Sequence, residues 1–440
     1  MSQYKAYTAY RDSGVKWIGQ IPEHWELMRL RHVARYSNSG VDKKSYEDQQ
    51  PVQLCNYTDV YYNEFISDDL PFMQSTASNQ EIEQFTLTQG DVIFTKDSED
   101  PTDIGIPAFV PYDMPGVVCG YHLTVVRALN GNSGSYIHRS IQSTHTKAHF
   151  FVESPGVTRY GLNQNTIGNT PVALPPPEEQ AAIATTLDRE TARIDALIQK
   201  KTRFIELLKE KREALITHAV TKGLDPKVKM KDSGVEWIGQ VPEHWKVVPS
   251  TWLFVESKER AHEDDQHLSA TQKYGVIPLA EYERLEGRQV THAVKNLEQR
   301  KHVELGDFVI SMRSFQGGIE RVKACGCVRS SYVAIQAEDG ADKDYFAYLF
   351  KSGSYIQGLQ ATSSFIRDGQ DLNYGNFRQV KLPQPEPDEQ RRIAKFLDQE
   401  TTRIDALAKK TEHSVTLLKE RRAAFITAAV TGQIDLRGKQ

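Results

Sequence analysis

Few side chains in this sequence stand at spacings that suit chemistry. His138, His145 and His149 come nearest to a metal-ligand pattern, with His145 and His149 at i and i+4 on one face of a possible helix. No carboxylate or third ligand follows at a convincing distance, so a metal is not expected there. Glu23-His24 and Glu243-His244 offer acid–base pairs. Each lies in a short motif with two tryptophans, which points to packing: aromatic anchors that secure the start of a domain. Cys325-Gly-Cys327 is one C-x-C without a second pair, so zinc is not expected. With Cys55 and Cys119, these thiols are too few and too scattered for a disulfide framework, and reduced, mostly buried cysteines follow.

Other catalytic patterns are missing. There is no G-x-x-x-x-G-K-[ST] loop to cradle a nucleotide's phosphates, no G-x-G-x-x-G and no G-x-S-x-G elbow. H-E-x-x-H and paired C-x-x-C are absent, as is the N/D-P-P-[YF] tetrapeptide of an amino-methyltransferase. The sequence therefore reads as a non-catalytic protein with no metal and no cofactor of its own.

The elements that must position whatever this chain binds are written twice. Asp12–Leu27 (DSGVKWIGQIPEHWEL) returns as Asp232–Val247 (DSGVEWIGQVPEHWKV), identical at 12 of 16 positions. Gln180–Asp225 returns as Gln390–Asp435, identical at 25 of 46. A proline-rich step precedes each of the latter, Leu174–Gln180 and Leu382–Gln390. Residues 28–160 and 248–366 share only short marks. One is a Gly-Asp step before an apolar run ending in Lys96 or Arg313, and another is Leu162-Asn163 and Leu372-Asn373. Two like frames thus hold two unlike inserts. A period near 210 residues is a duplicated domain and not a solenoid.

Beyond each Pro step the acidic residues suit a helix N-terminus. The apolar spacing then predicts a helix of roughly 40 residues, about 60 Å long. In the first copy the seam is Ile183, Leu187, Ile194, Leu197, Phe204, Leu208 and Leu215. In the second it is Ile393, Leu397, Ile404, Leu407, Leu418 and Phe425. Each narrow stripe needs a partner, and the other copy, paired antiparallel, is the simplest. Strands are predicted at Asp91–Phe94, Gly116–Val126, Asp307–Ser311 and Gly326–Gln336, and helices at Ile137–Phe151 and Asp342–Gln360. The fold class is α+β: two mixed α/β domains separated and joined by two long antiparallel coiled-coil helices, with a pseudo-two-fold internal repeat. The divisions are 1–175, 176–225 (central helix), 226–385 and 386–440 (C-terminal helix).

Composition restricts the partner. The chain of 440 residues is 39% hydrophobic and 25% charged, the balance of a globular protein with two or three domains. No apolar run reaches the ~18 residues of a membrane span. The N-terminus has no signal-peptide core, and a cytoplasmic location is expected. Residues 1–175 hold 13 basic against 19 acidic groups, and residues 226–385 hold 21 of each, so no region is a basic domain. Binding of DNA by bulk attraction is not expected.

The twin DSGV-x-WIGQ-[IV]-PEHW openings, the twin LP-x-P…EQ steps and the [TA]-R-I-D-A-L helices together resemble the DNA specificity subunits of type I restriction-modification enzymes. The resemblance spans essentially the whole chain. It implies that each insert is a target recognition domain reading one half of a bipartite, asymmetric site, with the paired helices setting the spacer. It also implies partners: double-stranded DNA, two modification subunits that methylate adenine at N6, and two restriction subunits. S-adenosylmethionine, ATP and Mg²⁺ would belong to those partners. Lys96, Arg159, Tyr160 and Asn163 in the first insert, and Arg313, Arg367 and Asn373 in the second, are the candidate DNA-binding residues. Lys43, Lys44, Arg321 and Lys323 are second-rank phosphate candidates. The acidic first insert leaves an alternative open: a coiled-coil scaffold tethering two protein partners without reading DNA.

Overall fold

Prolines open the two longest elements, as expected where a missing backbone N–H costs nothing. The computed structural model describes residues 4–290, 299–311, 314–362 and 374–438. The central helix is Pro177–Lys222 and the C-terminal helix is Pro387–Val430. Glu178 and Glu179, then Asp388 and Glu389, fill their first turns. Beyond their ends Gly223 and Gly432 take φ of 76° and 70°, a left-handed conformation that a Cβ would strain. Among the described residues no helix is long and apolar enough to cross a membrane.

The chain divides into two compact units, Met1–Thr202 with His413–Gln440, and Arg203–Glu412. Each unit thus contains the start of one long helix and the end of the other.

In the first unit an antiparallel sheet runs in the order Pro107–Phe109, Val92–Thr95, Leu123–Ala128, Ala34–Asn38. Alternation along its strands sends side chains to two cores. Val92, Phe94 and Val126 join Trp25, Tyr136, Ile183, Leu187, Phe425 and Val430 in a proximal core that holds both long-helix segments. Ile93, Leu123 and Val125 face a distal core with Leu54, Phe85, Met114 and Val118. Beneath that distal core lies a second four-stranded sheet, Met73–Ala77, Gln50–Cys55, Met114–Cys119, Thr86–Leu87, with one parallel pairing.

The second unit repeats the plan with less material. Its antiparallel sheet is Phe254–Ser257, Val333–Ala337, Phe308–Ile310, Glu320–Arg321. Phe308, Ile310 and Ile335 face a proximal core with Trp245, Tyr345, Val220, Ile393 and Leu397. Val309 and Ala334 face a distal core otherwise made of Leu268, Val276, Val303, Val322 and Val328. Two two-stranded ribbons cover it, Leu268–Thr271 with Gly275–Pro278 and Lys301–Val303 with Gly326–Val328.

Within each unit the two helical segments run antiparallel. Asp195 of the R-I-D-A-L motif accepts from Arg422 (2.9 Å), and its repeat Asp405 accepts from Arg212 (3.0 Å). These partly exposed pairs contribute little energy and act mainly on register. The buried seam departs from the one the apolar spacing predicts. Leu197, Phe204 and Leu407 are each 42% exposed. The other predicted seam residues, Ile194, Leu208 and Leu215 with Ile404, Leu418 and Phe425 among them, do turn inward, and Ile198 and Ile205 join them. The reason is that the inward stripe runs through Thr191 and Thr401, which are buried (2% and 4% exposed) and bond their hydroxyls to the helix carbonyls of Leu187 and Leu397. Polar threonine in the seam hides part of its phase from a purely apolar count.

The inserts also break where the pattern reads continuous. The predicted helix at 137–151 is two helices, Gly134–Gln142 and Thr144–Glu153, and its counterpart is Lys343–Leu349 and Gly353–Gln360. Ser143 and Ser352 cause the breaks, because each side chain caps the second helix, accepting from the Thr146 and Tyr355 amides. The predicted strand at 116–126 likewise splits at Gly120–His122, where His122 has φ 72°.

Candidate nucleic-acid interface

The repeated motifs build the frame. In the first unit Trp25 is fully buried and donates its indole N–H to Glu179 (3.2 Å), His24 Nε2 lies 2.9 Å from the same carboxylate, and Tyr7 donates at 2.6 Å. In the second unit Trp245 and His244 hold Glu389 at 3.0 and 2.8 Å. The P-E-H-W motif therefore clamps the first turn of the long helix in its own unit. The next residue completes the joint. Gln180 accepts from the Ser133 amide and donates to Pro175 and Asn132, while Gln390 accepts from the Asp342 amide and donates to Pro385 and Gly340. Tyr136 and Tyr345, both fully buried, each donate to the C-terminal carbonyl of a long helix, Val430 and Val220.

The Gly-Asp step is part of the same frame. Asp91 and Asp307 are both buried (2% exposed) and close matching turns by accepting from the Thr88 and Glu304 amides. Of the three histidines, His138 is a core residue, and burial, with Arg139 beside it, pushes its pKa down to about 3. His149 stacks on Trp17. The three do not bring their ring nitrogens together as a ligand set.

At the rim of the first unit the structure gathers three of the four residues expected to touch DNA. Lys96 pairs with Asp97 at 3.0 Å and lies 5.1 Å from the centre of the Tyr121 ring. His122 reaches the same carboxylate at 2.6 Å, and Arg159 Nη2 lies 3.0 Å from His122. Tyr160 pairs through its backbone with Ser98. Burial works against ionisation of Asp97, but hydrogen bonds from His122 and Lys96 outweigh it and hold the carboxyl below its ordinary range. Asp97 thus braces two cationic or donor side chains at one edge. Next to them projects the turn Ser154–Arg159, with Val157 90% exposed at its tip. Asn163 does a different job, since its side-chain oxygen caps the helix Gln164–Asn169 through the Thr166 amide.

In the second unit Arg313, Arg367 and Asn373 lie outside the described residues. Arg321 is engaged by Asp344, whereas Lys323, Lys43 and Lys44 are exposed. Sequence reasoning missed a cleft of about 650 Å³ in the second unit's distal lobe, lined by Lys273, Tyr274, Tyr282, Arg288, Gln289 and Arg329 among others. Lys273 sits over the Tyr274 ring at 4.7 Å, and Arg288 donates to the Tyr282 hydroxyl at 3.3 Å. A cation over an aromatic ring, a guanidinium on a phenol hydroxyl and an amide beside them suit phosphate and base-edge contacts. The signal was present as Gln272-Lys273-Tyr274 at a hairpin turn. It went unread because it has no counterpart in the other half.

Fold and frame together define a duplicated protein with two different distal lobes. Comparison with known proteins makes the class specific. Residues 22–207 match the model of the type I restriction modification DNA specificity domain. A protein of Methanocaldococcus jannaschii named as the specificity subunit of the type I restriction enzyme MjaX is 21% identical over 431 residues, covering 96% of each chain. A chain solved in work on complex assembly and conformational transition of the type I R-M system shares the fold with a TM-score of 0.68 at 18% identity, covering 96% of this chain and 99% of that one. The HsdS subunit of Thermoanaerobacter tengcongensis does so at 0.54 and 17%, covering 94% and 98%. Residues 22–207 thus carry the type I restriction modification DNA specificity domain, and the chain over nearly its whole length is similar to a type I specificity subunit in sequence and to solved type I chains in fold.

Proposed function

We propose that each unit reads one half of a bipartite DNA site through its distal lobe and the adjoining rim, with residues 1–175 and 226–385 as the two recognition domains. The observation that carries this reading is the distribution of likeness: clamp, central sheet and helix joints repeat between units, while the distal lobes do not. Specific readout needs only a few side chains at base edges, so near-neutral lobes suffice when partner subunits supply phosphate contacts. In the first unit Lys96, Arg159 and Tyr160 are the reading residues. In the second the cleft residues Lys273, Arg288 and Arg329 join Arg313, Arg367 and Asn373 in that role.

In this reading the antiparallel helices set the spacer and dock two adenine-N6 methyltransferase subunits and two restriction subunits in the cytoplasm. S-adenosylmethionine, ATP and Mg²⁺ are carried by those partners. Exchanging residues 28–160 for another recognition insert, then mapping N6-methyladenine in the assembled complex, tests the proposal. One half of the methylated site should change and the other stay. Loss of both halves would overturn it, and an unprotected duplex in a footprint of the full complex would favour a scaffold that holds proteins only.

A further inference from the structure

We infer that the distal lobe of the second unit holds a zinc-class divalent cation between His302, Cys325 and Glu304. Spacing along the chain argued against a metal, because Cys325-Gly-Cys327 has no second pair. The fold supplies what the spacing lacks. Strand Lys301–Val303 pairs with Gly326–Val328, which sets His302 opposite Cys327 and brings its ring to the turn carrying Cys325. His302 Nε2 then lies 3.2 Å from a Glu304 carboxylate oxygen and 4.0 Å from Cys325 Sγ. A tetrahedral ion with bonds of about 2.0–2.3 Å separates its ligand atoms by about 3.3–3.6 Å, close to the two separations from Nε2.

The opposite edge of the ring is already arranged for such a site. Asp265 lies 2.9 Å from His302 Nδ1, and both side chains are buried, at 7% and 5% exposure. A carboxylate on the far nitrogen fixes the tautomer that presents Nε2 to a metal and raises its basicity. His262 stacks on His302 at 4.2 Å between ring centres and turns its own Nε2 to Glu259, which holds the imidazole plane from the side. Thiolate, imidazole and carboxylate together favour zinc-class ions over magnesium or calcium, which prefer oxygen alone. Cys325 and Glu304 face solvent, so an ion can enter and a water can complete its shell.

The lobe also has a use for a staple. Among the described residues, seven buried side chains, all Leu, Val or Ala, make its core. Small cores of this kind are commonly completed by a metal or a disulfide. An ion joining Cys325 to His302 and Glu304 would lock the ribbon Lys301–Val303/Gly326–Val328, which borders the cleft at Arg300 and Arg329. Its role is to hold the lobe's shape, and the lobe's chemistry does not depend on it.

The test uses the purified full-length chain, stripped with a chelator and titrated with Co²⁺ alone and with Zn²⁺ against a chromogenic competitor. One equivalent should bind, with a thiolate-to-cobalt charge-transfer band. Cys325→Ser should abolish the band and weaken Zn²⁺ binding at least tenfold, and because Cys325 is exposed its circular dichroism should not change. Asp265→Asn should weaken binding about 10- to 100-fold, whereas His262→Gln should retain the band. Absence of stoichiometric binding by the wild-type chain would overturn the assignment, as would a band that survives Cys325→Ser.

Discussion

The two distal lobes differ more than any other pair of equivalent parts in this chain. In the first unit eighteen buried residues, including Phe85, Met114, Ile66 and Ile93, fill the space behind a four-stranded mixed sheet. In the second, seven aliphatic residues among those described lie under two short ribbons. The proximal halves beneath them match joint for joint: an indole and an imidazole on a glutamate, a glutamine on two loops, a tyrosine on a helix end. In the proposed reading, stability and docking reside in the part that repeats and recognition in the part that differs.

The strongest way to break that division is to attack the clamp. Trp25→Ala and Trp245→Ala each remove a fully buried indole from a proximal core. Each should cost about 3–5 kcal/mol in urea or thermal unfolding, and the two costs should be alike. A cost for one several-fold below the other would show that the frames are not energetically equivalent.

Substitution at the first rim should act on specificity instead. Arg159→Ala should leave the unfolding midpoint nearly unchanged, since the side chain is exposed. It should relax one half of the methylated site by about 1–3 kcal/mol per lost bidentate base contact, or roughly 5- to 150-fold in discrimination. Relaxation of both halves would contradict a one-lobe, one-half reading. Weaker binding that is uniform across sequences would make Arg159 a phosphate contact.

A finer comparison lies inside the clamp itself. Glu179 is 6% exposed and receives Tyr7, Trp25 and His24, whereas Glu389 is 18% exposed and receives Trp245 and His244. Hydrogen bonds to a charged group contribute about 1.5–3 kcal/mol each where buried. Glu179→Gln should therefore destabilise more than Glu389→Gln in paired urea titrations. Equal losses would mean that the additional tyrosine contributes nothing.

How much of this was legible in the sequence follows the same division. The frame was, because it is written twice: the repeats placed the long helices, the antiparallel pairing and the packing role of Trp25 and Trp245. The phase of the seam was not. Thr191 and Thr401 occupy inward positions that an apolar count skips, and Leu197, Phe204 and Leu407 satisfy the count while facing out. Ser143 and Ser352 broke single predicted helices into two, since one side-chain oxygen on an N-terminal amide outweighs a continuous apolar pattern. Lys96, Arg159 and Tyr160, picked out because they lie near shared marks, come together at one rim, whereas Asn163, picked out by the same rule, caps a helix. The second unit's cleft and the His302–Cys325 pair escaped because their residues are brought together only by ribbon pairing. No local spacing encodes that.

Acid sensitivity offers the smallest and most selective contrast. His138 is fully buried in the first unit and titrates at about 3 because burial, and then the neighbouring Arg139, oppose its charge. In the unfolded chain it takes a proton near its ordinary 6.5. Between these values the unfolded state binds more protons, so stability is full above pH 6.5 and falls as the pH drops below it. His145, lowered by burial, adds in the same direction. Glu64 and Asp97, both held below the ordinary carboxylate range, lose their contributions only further down, as the pH falls through their folded values. The urea midpoint of the first unit should therefore decline from pH 7 to pH 5 mainly through His138. His138→Gln should flatten that decline while lowering the plateau at pH 7 through imperfect packing. A slope unchanged in His138→Gln would move the acid sensitivity to other groups and leave the buried imidazole a packing residue without a titration of consequence.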